Sequence, residues 1–133
     1  MNDREAIFDY RMKQTEDTLA EAVKMLELGF SSRSIVNRSY YAMFYAVLAL
    51  FIHFDTPHKT SKHSGVISIF NKEFIHTGKL EPRFSKMLYA LFDERMELDY
   101  VDFAEVVEED ARNAVLAAQD FVSAIKMLTK QLD

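Results

Sequence analysis

Arg95 interrupts the apolar row Phe84, Leu88, Leu91, Arg95, Leu98, and Asp99 and Tyr100 follow one turn later. A guanidinium on a core-facing stripe keeps its charge and must find partners. Arg95 and Asp99 can form an i,i+4 ion pair at the edge of a bundle, with the arginine stem packed and its head in water. Alternatively, the guanidinium faces a polar groove, where its fork can hold a phosphate or stabilise charge developing on one. A second cluster, Lys59-Thr60-Ser61-Lys62-His63-Ser64-Gly65, brings cations, hydroxyls and a histidine to a helix start, where free backbone amides favour anions. It lacks the glycines and the Gly-Lys-Ser/Thr ending of a P-loop, so a helix cap flanked by solvated lysines is the plain alternative. The third cluster, Arg38-Ser39-Tyr40-Tyr41-Ala42-Met43-Phe44-Tyr45, sets a cation beside aromatics that can either stack a nucleobase or fill a core. Tyr40, Tyr41 and Tyr45 fall on different sides of a helix, so at least one is expected to pack inside with its hydroxyl bonded.

Other chemistries are excluded by spacing. His53, His58, His63 and His76 lie five, five and thirteen residues apart, which fits neither a helical His pair nor a finger pattern, so no metal site is expected. There is no Gly-x-Ser-x-Gly, no dinucleotide fingerprint and no helical Glu-x-x-His pair, which removes common hydrolase, dehydrogenase and di-iron readings. Cysteine is absent, so no disulfide or thiolate chemistry is available. No cofactor is implied.

These clusters need elements to hold them. Three glycines and two prolines in 133 residues leave few helix breaks, and strand alternation is hard to find. The pattern predicts an all-α fold, an antiparallel up-and-down bundle of about five helices, in one domain over residues 1–133. Helix one, about 3–28, stacks Phe8, Met12, Thr15, Leu19, Ala22, Val23 and Leu26 and stops at Gly29. Helix two, about 33–53, follows Ser31 and Ser32 and is apolar almost all round from Tyr40, which makes it central. Its Ala42, Ala46 and Ala49 stripe permits close approach of a helix from this chain or a second copy. A loop over 54–60 precedes helix three, about 61–77, with Val66, Ile67, Phe70 and Phe74 inward and Gly78 at its end. Pro82 suits the first turn of helix four, about 82–99. Glu108, Glu109 and Asp110 then favour the start of the last helix, whose face is Ala111, Ala114, Ala118, Phe121, Ile125, Leu128 and Leu132.

The formal charge of −5 is unevenly spread: residues 1–30 carry −3, residues 31–92 carry +5 and residues 93–133 carry −7. A basic middle can steer an anionic ligand, although an unevenly charged solvated surface is the commoner explanation, and no strongly basic nucleic-acid footprint is present. The longest apolar run, Tyr40 to Ile52, is short of the roughly 20 residues of a membrane span and is expected to be a buried helix. The charged start Asn2-Asp3-Arg4-Glu5 lacks the apolar run of a secretory signal, and with the absence of cysteine this implies a cytoplasmic protein without membrane contact.

Three segments together carry a resemblance: Ser39-Tyr40-Tyr41-Ala42-Met43-Phe44-Tyr45, Lys62-His63-Ser64-Gly65-Val66, and Arg95-x-x-x-Asp99-Tyr100. In this order and with these gaps the chain resembles the HEPN domain family over nearly its full length, in particular the short stand-alone prokaryotic branch. The resemblance implies a helical bundle, usually a homodimer, often encoded beside a small nucleotidyltransferase as a toxin–antitoxin-like pair. Many relatives cut RNA without metal, using an arginine followed four to six residues later by histidine, with two motifs facing a shared dimer cleft. Arg95 matches that arginine. Tyr100, Val101 and Asp102 occupy the three permitted histidine positions, and Met96 stands where a polar residue is usual. Proton transfer near neutral pH suits histidine and not tyrosine, whose pKa is about 10.

Three functions follow from this reading. The first is a HEPN partner of a nucleotidyltransferase that binds nucleotide or RNA in a dimer cleft, with Arg38, Tyr41, Lys62, His63, Arg95, Asp99 and Tyr100 as ligand-binding candidates. The second is a metal-independent ribonuclease in which Arg95 holds the scissile phosphate and His63 or Tyr100 assists proton transfer. The third is a non-catalytic dimeric scaffold.

Overall fold

The computed structural model describes residues 2–57, 62–100 and 108–130, with the side chains of residues 94–100 outside that description. Five α-helices carry the fold: α1 Asp3–Glu27, α2 Ser32–His53, α3 His63–Phe70, α4 Pro82–Tyr100 and α5 Glu108–Leu128. Their packed arrangement is the expected all-α bundle.

Local chemistry sets the ends of these helices. Asn2 caps α1 by accepting the Glu5 amide at 2.8 Å, and Ser31 caps α2 by accepting the Ser34 amide at 3.2 Å. Between them, Gly29 adopts φ 74°, and the amides of Gly29 and Phe30 donate back to the carbonyls of Leu26 and Met25. This pair of reverse bonds satisfies two of the helix's terminal acceptors and turns the chain sharply into α2. The end of α2 repeats the geometry with Asp55 at φ 52°, where the Asp55 and Thr56 amides donate to Ile52 and Phe51. An L side chain is strained there, so Asp55→Gly is expected to raise stability by about 0.5–1 kcal/mol in chemical denaturation. An unchanged midpoint would count against that strain.

Helix α2 is the core. Val36, Tyr40, Met43, Val47 and Leu50 are each 0 % exposed, and α2 packs against α1, α4 and α5. It is long and apolar enough to cross a bilayer by composition alone, but 67 % of its most apolar stretch is buried within the protein, as expected of a core helix. Ala42, Ala46 and Ala49 are all fully buried, and Ala49 lies under Phe8 and Met12 of α1, so this chain itself covers the small-residue stripe. Of the predicted inward rows, Phe84, Leu88 and Leu91 on α4 and Ala111, Ala114, Ala118, Phe121 and Ile125 on α5 are buried, Leu128 is only half-buried against the core, and the side chain of Leu98 lies outside the description. Leu132 lies outside the described residues. Surface ion pairs tie the outer helices together, Lys126 to Glu16 between α5 and α1 and Arg83 to Asp120 between α4 and α5.

The third helix differs from expectation. Its α-helical part begins at His63 and gives way to a π-helical turn over Asn71–Ile75, closed by the His76 amide donating to the Asn71 carbonyl at 2.9 Å. Packing favours the wider turn. Phe74 is 1 % exposed and stacks on Phe51 at 6.0 Å, while the Ser85 hydroxyl of α4 donates to the Asn71 side chain at 2.5 Å. Hydrophobic spacing does not separate this turn from an α-helical one, because Phe70 and Phe74 share a face in both.

Candidate functional site

One corner of the bundle collects the chemically capable side chains. Tyr40 is fully buried on α2, and its hydroxyl lies 2.7 Å from Nδ1 of His63, the first residue of α3. A buried phenol requires such a partner. Phe44, one turn along α2, stacks on the His63 ring at 4.0 Å between centroids with an interplanar angle of 19°, and Tyr41 meets the same ring nearly edge-on at 5.8 Å. Three side chains from about one turn of α2 therefore hold one imidazole, and His63 itself remains partly exposed. Upstream on the same helix, Ser39 is buried and donates to the Ile35 carbonyl at 2.8 Å, which removes its polar group from the packing surface.

The cation of this corner is Arg38. Its guanidinium lies 5.8 Å from the centre of the Tyr41 ring and 3.8 Å from a carboxylate oxygen of Glu21 on α1. It is half-buried, so the pair contributes little to stability, but the two contacts fix the charge beside the aromatic cluster. Lys62 is exposed and occupies the cap position of α3, where its side chain makes no capping bond. Helix α4 joins through Phe92, whose ring is 6.0 Å from that of Tyr40. By helix register, position 95 falls one turn past Leu91 and Phe92. The side chains of Arg95, Asp99 and Tyr100 lie outside the described residues, as do Val101, Asp102 and the Lys59–Ser61 part of the second cluster.

Of the candidates drawn from sequence, then, Arg38, Tyr41, Lys62 and His63 converge on one corner. Tyr40, Phe44 and Phe92 complete it and were not among them. Tyr40 is the tyrosine that packs inside, and its spacing to Phe44 (i,i+4) is the one signal that the two share a face. Its partner is 23 positions away in sequence and could not be read from spacing.

The other described histidines stand apart. His76 is exposed after the π-helical turn, and His53 lies at the end of α2 against Phe8 of α1, with ring centroids 5.2 Å apart. Among the described residues no group of three or more histidine, cysteine or acidic side chains is placed to hold a metal ion. Burial, followed by the positive charge of Arg4, pushes His53 below its ordinary value of 6.5. The unfolded chain therefore binds the proton more readily. The stability that neutral His53 contributes is present above pH 6.5 and is lost as pH falls through that value towards the lower folded one. His53→Gln is expected to lose less thermal stability than the parent between pH 7.5 and 5.5. Equal losses in melting experiments would remove His53 as the cause.

The corner combines an imidazole, a guanidinium and aromatic faces, with Lys62 next to His63 in the chain, groups of the kind that can take an anionic oxygen and a stacked base. A protein-family model described as the HEPN domain matches residues 8–128. A UPF0332 protein of Thermotoga maritima is 36 % identical over 132 residues, covering 99 % of this chain and 98 % of its own. A protein of Methanocaldococcus jannaschii named "Putative toxin" is 31 % identical, covering 84 % of this chain and 81 % of its own. A UPF0332 protein of Archaeoglobus fulgidus is 30 % identical, covering 89 % and 91 %.

Proposed function

The chain belongs to the HEPN domain family, and from that premise we propose that it is the HEPN member of a toxin–antitoxin-like pair. In this reading it is a cytoplasmic, single-domain homodimer that partners a small nucleotidyltransferase and binds nucleotide or RNA around Arg95. The toxin–antitoxin context is supported by two relatives of Methanocaldococcus jannaschii that carry the name "Putative toxin". The observation that carries the binding site is convergence. The segments that define the family resemblance start from three separate helices, and Tyr40 of the first touches both His63 of the second and Phe92, one turn before Arg95 on the third. Arg95 and Lys62 supply charge for phosphoryl oxygens, His63 supplies hydrogen bonding, and Tyr41 with Arg38 supplies a face for a base.

Co-expression with the product of an adjacent nucleotidyltransferase gene tests this reading. The two proteins are expected to co-purify, and Arg95→Ala is expected to abolish the complex while the helical circular dichroism signal stays intact. A complex indifferent to that change would overturn the assignment of Arg95.

A second reading is favoured by the presence of an imidazole at this corner, because histidine is the side chain suited to moving protons near neutral pH. As a metal-independent ribonuclease, the protein would cut RNA in chelator with Arg95 on the scissile phosphate. RNA left intact at high protein concentration excludes it.

A further inference from the structure

Every third residue of α4 from Lys86 gives the row Lys86, Tyr89, Phe92, Arg95: cation, aromatic, aromatic, cation. On an α-helix such a row is an oblique ridge that turns by about 60° at each step. This one winds from solvent to core. Lys86 and Tyr89 are exposed, and Phe92 is half-buried with its ring 6.0 Å from that of Tyr40. Position 95 falls on the side of the buried Leu88 and Leu91. The rings of Tyr89 and Phe92 lie 6.3 Å apart at 49°, so the aromatic surface of the corner continues outwards along α4. Arg83, one step before Lys86, is held by Glu81 and Asp120 and lies over the Phe84 ring, which ends the row at Lys86.

A single exposed aromatic ring is common and by itself means little. Two tyrosines are exposed among the described residues, Tyr10 on α1 at 63 % and Tyr89 at 58 %, and their surroundings differ. Tyr10 has the Arg11 guanidinium 5.8 Å from its ring and sits within residues 1–30, which carry −3. Tyr89 adjoins the ring chain that leads through Phe92 to Tyr40, and it sits within residues 31–92, which carry +5. Asp93, one turn further along α4, is exposed and repels a phosphate there, which leaves the Lys86 side for a backbone. Positions 86 and 95 are about 13 Å apart along the helix axis, the reach of about four nucleotides of a stacked strand at roughly 3.4 Å each.

We propose that Tyr89 is a second base-stacking subsite, outside the corner, with Lys86 holding a phosphate beyond it, so that the site takes a short single strand and a lone nucleotide fills only its inner end. This rests on the reading of the corner as a site for nucleotide or RNA. The ridge carries a strand from the phosphate at position 95 past Phe92 to a ring that offers its face to solvent. Stacking on such a ring tolerates every base, so the subsite selects for strand length and not for sequence. Lys86 is a point charge on a flexible stem, suited to a backbone phosphate whose position shifts with the stacked base.

Calorimetric titration of the full-length chain with two probes, ATP and a single-stranded RNA of about eight nucleotides, separates the outer subsite from the corner. Tyr89→Ala is expected to weaken RNA binding by roughly 5- to 100-fold, the worth of one stacked base, and to leave ATP binding within about twofold. Tyr89→Phe keeps the ring face and is expected to bind both probes within about twofold of wild type. Lys86→Ala is expected to weaken RNA binding alone and to reduce the slope of log affinity against log salt by about 0.7. Tyr10→Ala removes the other exposed tyrosine and is expected to change neither affinity. RNA binding that survives Tyr89→Ala but is lost in Arg95→Ala overturns the outer subsite and leaves the corner standing. So does an equal loss in Tyr89→Ala and Tyr89→Phe, or a loss of ATP binding as large as that of RNA. Wild-type protein that binds neither probe overturns the proposed function, and the subsite with it.

Discussion

Phe121→Ala is expected to be among the most damaging single substitutions in the protein, costing about 3–5 kcal/mol of folding stability. Phe121 is 0 % exposed on α5 and packs against Phe70 of α3 at 5.6 Å and Phe84 of α4 at 6.1 Å. Its ring is thus shared by three helices. Removing it leaves a cavity whose walls are set by aromatic side chains from separate elements, which cannot collapse together without moving whole helices. Against a typical total of about 5–15 kcal/mol, the loss leaves a marginal fold. The midpoint of thermal unfolding should fall by on the order of 10–20 °C. Leu116→Ala on the same helix provides the contrast, since Leu116 is 58 % exposed and its loss should stay within about 0.5 kcal/mol. If the two substitutions cost the same, the core is not where the packing places it.

Arg95→Ala should act in the opposite manner, leaving stability nearly unchanged and removing binding. A charge-assisted hydrogen bond to a phosphoryl oxygen is worth about 1.5–3 kcal/mol, which corresponds to roughly a 10- to 100-fold loss of affinity for a nucleotide. Arg95→Lys separates charge from shape: it retains the cation and loses the fork, so it should fall between wild type and alanine. If instead Arg95 serves only the i,i+4 pair with Asp99, both variants would bind as wild type and lose no more than about 0.5 kcal/mol of stability. Measuring affinity and unfolding on the same samples decides between these outcomes.

Much of the fold is local and was legible for that reason. The first-helix row Phe8, Met12, Thr15 and Ala22, the stop at Gly29, the cap at Ser31 and the entry at Pro82 depend on residues within one or two turns of each other. The π-helical turn at Asn71–Ile75 was not legible, because its cause is contact with Phe51 and Ser85 on other helices. The alanine stripe of α2 was open between two partners in sequence and is covered in the structure by this chain.

The same division runs through the site. Residue types and their order along the chain determined that Arg95 is an anomaly on an apolar row and that Tyr100 stands at a position where the family resemblance expects histidine, and they singled out Arg38, Tyr41, Lys62 and His63 as candidates for binding. Only the tertiary structure decided that the imidazole belongs to α2's aromatic cluster, with Tyr40 on Nδ1 and Phe44 across its face. The physical reason is distance along the chain. Periodicity reports which side of its own helix a residue occupies, whereas the chemistry of His63 is set by a hydroxyl on another helix, brought to 2.7 Å by core packing that sums over many helices at once.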